Sequence, residues 1–194
     1  MRKEIFLLVR LALLLSVPSR PSQGDDKEEE YKVYSAILKA KHQAEKSKTL
    51  VILRRTAQNG LTLSGSDDQK DILQALSPLT EETLRSYNSR NNAEMELANK
   101  FDFTAWVALV DEKEIDEIFR RPDLENNWKA FYQKYPDSGG FIRLSRVGFD
   151  ATDKQALIFV SQHCGVLCAS GTYYLLVKEN GEWKVKKERQ AWIS

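Results

Sequence analysis

The sequence predicts an α+β fold, with N-terminal helices packed on a mainly antiparallel sheet that ends in a four-stranded C-terminal meander. Three observations carry this. Apolar residues recur at helical spacing over 28–46 and 124–135. From Phe141 onward the period changes to two. Asn180-Gly181, between two alternating runs, is a hairpin signal because both residues tolerate positive φ. The chain has 194 residues, 42% hydrophobic and 29% charged, enough for one domain with a substantial core. With 9 Gly and 5 Pro it is not a collagenous or low-complexity chain.

The first 24 residues have a composition of their own. Met1-Arg2-Lys3 is a basic start, Ile5 to Val17 an apolar run broken only by Arg10 and Ser16, and Pro18 to Gly24 a zone of small and polar residues. That is the plan of a secretory signal, and the run is too short for a membrane span, which needs about 20 apolar residues. The expectation is cleavage near Gly24, leaving 25–194 as a single periplasmic or extracellular domain with no membrane span. The whole chain sets 29 Lys+Arg against 28 Asp+Glu; residues 1–24 hold four of the basic residues and one acid, so the remainder is 25 against 27. Neither balance has the electrostatic footprint of a nucleic-acid binder, and no nucleic-acid partner is expected.

The elements follow in order. Asp25 to Glu30 reads as a mobile acidic lead-in to a helix over 28–46, in which Tyr31, Tyr34 and Leu38 share a face and Lys39, Lys41 and Lys46 suit the macrodipole. Thr49 to Leu53, a short apolar run between polar residues, is a strand, and 58–70 a polar connector. Pro78 and Thr80-Glu81-Glu82 signal a helix start, with a surface continuation through Arg85, Asn88, Arg90, Asn91 and Asn92. Phe101 to Val110 reads as a strand, and Asp111 with Glu114 holds the positions of a capping box. Asp123 is placed to cap a helix whose Leu124, Trp128, Phe131 and Tyr135 form a core stripe. Segments 141–149, 155–162, 172–178 and 183–192 are the meander, antiparallel because their connections are short.

Cys164 and Cys168 flank Gly165-Val166-Leu167 in the bend between the second and third meander strands. A three-residue loop would set them directly opposite, at the Cα separation of about 4.5–5.5 Å that a disulfide accepts. Export supplies an oxidising compartment, so a local structural disulfide is the expected chemistry. Two sharper readings compete. A redox-active pair usually has two intervening residues beside a helix N-terminus, whereas this pair has three in a β setting. A metal site could recruit His163 as a further ligand for Cu or Zn, against which strand neighbours point to opposite faces.

A hydrolase would need a nucleophile, a base and an orienting group. His42, beside Lys41, reads as solvent-facing, and Ser145 lies mid-strand rather than on a sharp elbow. No catalytic residue, metal or cofactor is assigned. Arg143 and Arg146, three apart on one apolar strand, are expected on opposite sheet faces. Arg146 and His163 are the candidate ligand contacts, Arg146 reaching into a concavity to hold an anionic group; a surface arginine packing its stem is the ordinary alternative.

Leu144-Ser145-Arg146-Val147-Gly148-Phe149, Gln155-Ala156-Leu157, Cys164-Gly165-x-Leu167-Cys168-Ala169-x-Gly171, Gly181-x-Trp183 and Trp192-Ile193-Ser194 together resemble a widespread family of exported bacterial proteins. Tyr31-x-Val33-Tyr34-Ser35 and Trp128-x-x-Phe131-x-x-x-Tyr135-Pro136 look like the same family, and Leu144 to Phe149 is its most distinctive string. The resemblance implies export and no particular chemistry; members without the cysteine pair imply that the pair stabilises rather than catalyses. The functional expectation is an exported, non-catalytic binding or accessory module of the cell envelope or extracellular space, with a small anionic ligand or an envelope protein as partner. The alternative is a small hydrolase, or a thiol-redox or metal-binding protein, with its site near Cys164–Ser170.

Overall fold

The computed structural model describes residues 23–45, 48–57, 66–102 and 104–194; all but the last two residues of the expected leader lie outside the described residues. In chain order the elements are helix α1 (Gln23–Glu45), strand β1 (Thr49–Leu53), helices α2 (Ser66–Ala75) and α3 (Glu81–Arg90), strand β2 (Trp106–Val110), helices α4 (Glu112–Ile118) and α5 (Leu124–Lys134), and strands β3 (Ser138–Leu144), β4 (Gly148–Phe149), β5 (Gln155–Gly165), β6 (Cys168–Glu179) and β7 (Glu182–Ile193). This is an α+β arrangement with its helices early and its strands late. The strands form one sheet in the order β2-β1-β3-β5-β6-β7, with β4 paired to β5. The sheet is mixed: β1 runs parallel to both β2 and β3, and the other pairs are antiparallel. The early strands are joined through helices, the crossover that returns a strand parallel, while the short late connections build the expected meander β3-β5-β6-β7.

Helices cover both sheet faces, and the period of two sorts the core accordingly. α1 packs Val33, Tyr34, Ile37 and Leu38 on Leu50, Ile52, Ile158 and Val160. On the opposite face α2 and α3 bury Ile72, Leu76, Leu84 and Tyr87 against Leu157, Phe159 and Leu175. Beside them on that face α4 and α5 bury Ile115, Trp128 and Phe131 against Val51 and Leu53. β1 is therefore buried at every position, as a covered parallel strand must be. The outer strand β7 is exposed along most of its length, and its register slips leave Lys186 and Ala191 as bulged residues. Bulges together with Lys184, Lys187 and Arg189 guard such an edge against pairing.

Several boundaries differ from expectation for local physical reasons. Asp25 to Glu30 is helical, not a lead-in, and Glu30 is completely buried. Of the connector expected over 58–70, residues 58–65 lie outside the described residues, and from Ser66 the chain is helix α2, where Ile72 and Leu76 repeat at one-turn spacing. Asn91, expected at the surface, is 1% exposed. β2 begins only at Trp106, because Phe101 turns aside to pack on the Tyr31 and Tyr34 rings. The capping box at Asp111 does not form: its carboxylate accepts from Arg54 Nε at 3.1 Å, and Glu114 pairs with Lys134 at 2.6 Å. Asp123 does cap α5, accepting from the Asn126 N–H at 3.1 Å. Asn180 and Gly181 turn with φ 52° and 86°, as a type I′ hairpin requires. The single strand expected over 141–149 is broken at Ser145–Val147.

Candidate functional site

The cysteines lie at one end of the sheet, where β5 and β6 meet in a two-residue turn at Val166-Leu167. Ala169 opposes His163 and Cys168 opposes Gly165, so Cys164 is the extra residue of a β-bulge. The disulfide Cys164–Cys168 closes across that bulge with Cα atoms 5.0 Å apart, rather than between opposed residues of a three-residue loop. The bulge is held from outside by Tyr132, whose hydroxyl donates to the Cys164 carbonyl at 2.7 Å, and by Gln162, whose amide donates to the Gly139 carbonyl at 3.0 Å. Gly140 (φ +91°) lets β3 start against β5, since a Cβ there would lie 2.0 Å from the His163 carbonyl oxygen. Leu167 (87% exposed) and Ile193 (73%) flank a shallow cavity of about 510 Å³ that Gln162, Cys164 and Ser170 also line.

His163 is adjacent in sequence but faces elsewhere. Its ring stacks on Phe141 with centroids 4.9 Å and planes 11° apart, and Trp192 lies 5.9 Å away. Burial, then the charge of Arg143, holds its pKa below the ordinary value, so the ring is neutral at neutral pH. Imidazole and disulfide therefore do not converge. Among the described residues no group of three or more His, Cys, Asp or Glu could hold a metal ion. His42 is not fully solvent-facing: its Nδ1 is buried without a hydrogen-bond partner.

Arg146 sits in a different place, in the break between β3 and β4. Four backbone polar groups of this break find partners outside the sheet ladder. The Ser145 carbonyl accepts from the Tyr34 hydroxyl at 3.1 Å. The Arg146 N–H donates to Asn91 Oδ1 at 2.8 Å and its carbonyl accepts from Asn91 Nδ2 at 3.0 Å. The Val147 N–H donates to Glu30 Oε1 at 3.0 Å. Ser145 is itself buried, and its hydroxyl accepts from the Phe159 N–H and donates to the Arg146 carbonyl, at 2.8 and 2.9 Å. Gly148 follows because a Cβ would fall 2.3 Å from the Tyr87 backbone nitrogen.

The Arg146 guanidinium reaches Glu30 at 3.0 Å, and Arg90 meets the same carboxylate at 2.8 Å. The anion that Arg146 holds is the protein's own Glu30. Arg143 pairs with Glu112 on α4, so the two arginines do leave by opposite faces of the sheet. Beside Glu30, Glu29 accepts from Lys178 at 2.7 Å, Trp183 at 2.9 Å and Lys32 at 2.9 Å. Burial raises the Glu29 pKa, but these hydrogen bonds outweigh it and bring the carboxyl down to about 2.

A third feature is a cleft of about 620 Å³ between α1 and the segment 95–102. Its size is that of small-molecule sites, about 300–1,000 Å³. Two straps hold the walls: the Tyr31 hydroxyl accepts from the Ala98 N–H at 2.6 Å, and Ser35 Oγ from the Asp102 N–H at 2.8 Å. Tyr31 and Met95 give the cleft an apolar strip, and Lys27, Glu96, Lys100 and Asp102 stand around it. Burial raises the Tyr31 pKa, so its hydroxyl stays protonated at neutral pH. Sequence reasoning missed this site, because segment 95–102 carries no periodicity and its partners lie on a helix more than sixty residues earlier; Tyr31 and Ser35 at one-turn spacing were the available signal. Compared with known proteins, the chain matches no family model, no curated protein and no solved structure.

Proposed function

We propose that this chain is an exported protein that acts by binding, as an accessory module of the cell envelope or extracellular space. The observation that carries the reading is the closed Cys164–Cys168 disulfide at an exposed hairpin, since such bonds persist in oxidising compartments and are rare in reducing ones. The basic n-region and apolar run of residues 1–24 point the same way. No helix of the described residues is long and apolar enough to cross a membrane. Ser145 and Arg146 spend their polar groups on the fold itself, so neither is offered as a nucleophile or a ligand contact. The test is to express the full chain in bacteria, fractionate the cells, sequence the N-terminus of the product and alkylate thiols before and after reduction. The expected product is exported, starts near Asp25 and reacts only after reductant. A cytosolic chain that keeps residues 1–24 and has two reactive thiols overturns the proposal.

A further inference from the structure

We propose that the cleft between α1 and segment 95–102 binds a short peptide with both termini free, its carboxylate received by Lys27 at one end and its ammonium by Asp102 at the other. The proposal deepens the binding reading and rests on it.

Charge supplies the first argument. Among the described residues, the side chains of Lys27, Lys100, Glu96 and Asp102 make no ion pair or hydrogen bond, whereas Lys32 on the same wall is committed to Glu28 and Glu29 at 3.2 and 2.9 Å. Two uncommitted cations and two uncommitted anions around one cavity suit a ligand carrying both signs. A plain anion would meet Glu96 and Asp102, and a plain cation the lysines.

Length supplies the second. Lys27, Tyr31 and Ser35 mark one wall at four-residue intervals, so it is about 12 Å long at 1.5 Å per helical residue. The straps place Ala98 against Tyr31 and Asp102 against Ser35, so the facing chain runs in the same sense. An extended peptide covers at most about 3.3–3.6 Å per residue, and about three residues fill that wall. A single amino acid is too short to engage both ends, and an internal protein segment has no terminal charges to offer. The Tyr31–Met95 strip gives the middle of such a peptide an apolar surface, and the Tyr31 hydroxyl proton is free for a peptide carbonyl because only its oxygen is used by Ala98.

The probe is unblocked trialanine, titrated calorimetrically into the full chain beside N-acetyl-trialanine amide. Unblocked trialanine is expected to saturate one site, and the blocked form to bind at least about tenfold more weakly. Lys27→Glu and Asp102→Lys should each weaken trialanine by about tenfold or more, while Lys186→Glu on the far edge strand leaves it unchanged. Far-UV circular dichroism verifies that each variant is folded, and both cleft substitutions lie at exposed positions. No heat with trialanine, equal binding of the blocked form, or an unchanged affinity in both folded cleft variants overturns the proposal. An exported, disulfide-bonded product that ignores trialanine sinks this inference alone; a reduced cytosolic product that binds trialanine sinks the export reading alone.

Discussion

Replacing Glu30 by Gln tests whether one buried carboxylate holds α1 to the break between β3 and β4. The change conserves volume and leaves an amide oxygen for the Val147 N–H, 3.0 Å away. It removes the charge that Arg90 and Arg146 share at 2.8 and 3.0 Å. The Glu30 side chain is 0% exposed and the two arginine side chains 18% and 21%, so water can replace little of what is lost. Removing one partner of a buried ion pair costs about 3–5 kcal/mol, since the remaining charge is left uncompensated. The arginines keep some contact with solvent, which places Glu30→Gln at the lower end, about 3 kcal/mol. In a chain of this size that lowers Tm by roughly 6–12 °C. Urea unfolding of the oxidised protein, followed by circular dichroism, reads the loss directly. Arg146→Met alone should cost a similar amount, and the double variant less than the sum, with a coupling of about 1–3 kcal/mol. A loss for Glu30→Gln below about 0.5 kcal/mol, or strictly additive losses in the cycle, refutes the reasoning.

Other perturbations have equally definite outcomes. The Glu29 carboxyl sits near 2 in the folded chain against 4.5 ordinarily, so its contribution is complete above about pH 5 and is lost as pH falls towards 2. With allowance for solvent around the pair this is about 2 kcal/mol; acid titration of unfolding free energy should show that limb, and Glu29→Gln should abolish it. Reducing Cys164–Cys168 opens a small ring and should cost about 2 kcal/mol in urea while leaving the sheet spectrum intact; loss of the whole fold on reduction would contradict a local clip. Gly171→Ala would place a Cβ 2.3 Å from Trp192 Nε1 and 2.5 Å from Phe159 Cζ. The indole should swing outward and its emission shift to the red; unchanged fluorescence and stability would show that the indole does not lie over Gly171.

How far the sequence could be read depended on how near the interacting residues lie along the chain. The alternation after Phe141, the Asn180-Gly181 turn and the Asp123 cap are short-range patterns, and each corresponds to an element of the fold. The capping box failed although its spacing was right, because Arg54, 57 positions away, takes the Asp111 carboxylate. The cysteine pairing was legible from a four-residue spacing and the expected compartment; the bulge that seats it was not, since it depends on how β5 registers against β6. Arg146 was recognised as unusual, but its partner Glu30 is 116 positions earlier in a stretch that reads as a solvated acidic lead-in.

From its sequence alone, this protein's class and the antiparallel C-terminal strands could be established, because hydrophobic period and turn chemistry act between neighbours. The parallel placement of β1 between β2 and β3, the burial of Glu30 under two arginines, and the cleft beside Tyr31 were decided by tertiary structure. Which charge meets which, and which surface stays open, follow from helices packing across a sheet, and no local pattern encodes contacts between residues so far apart.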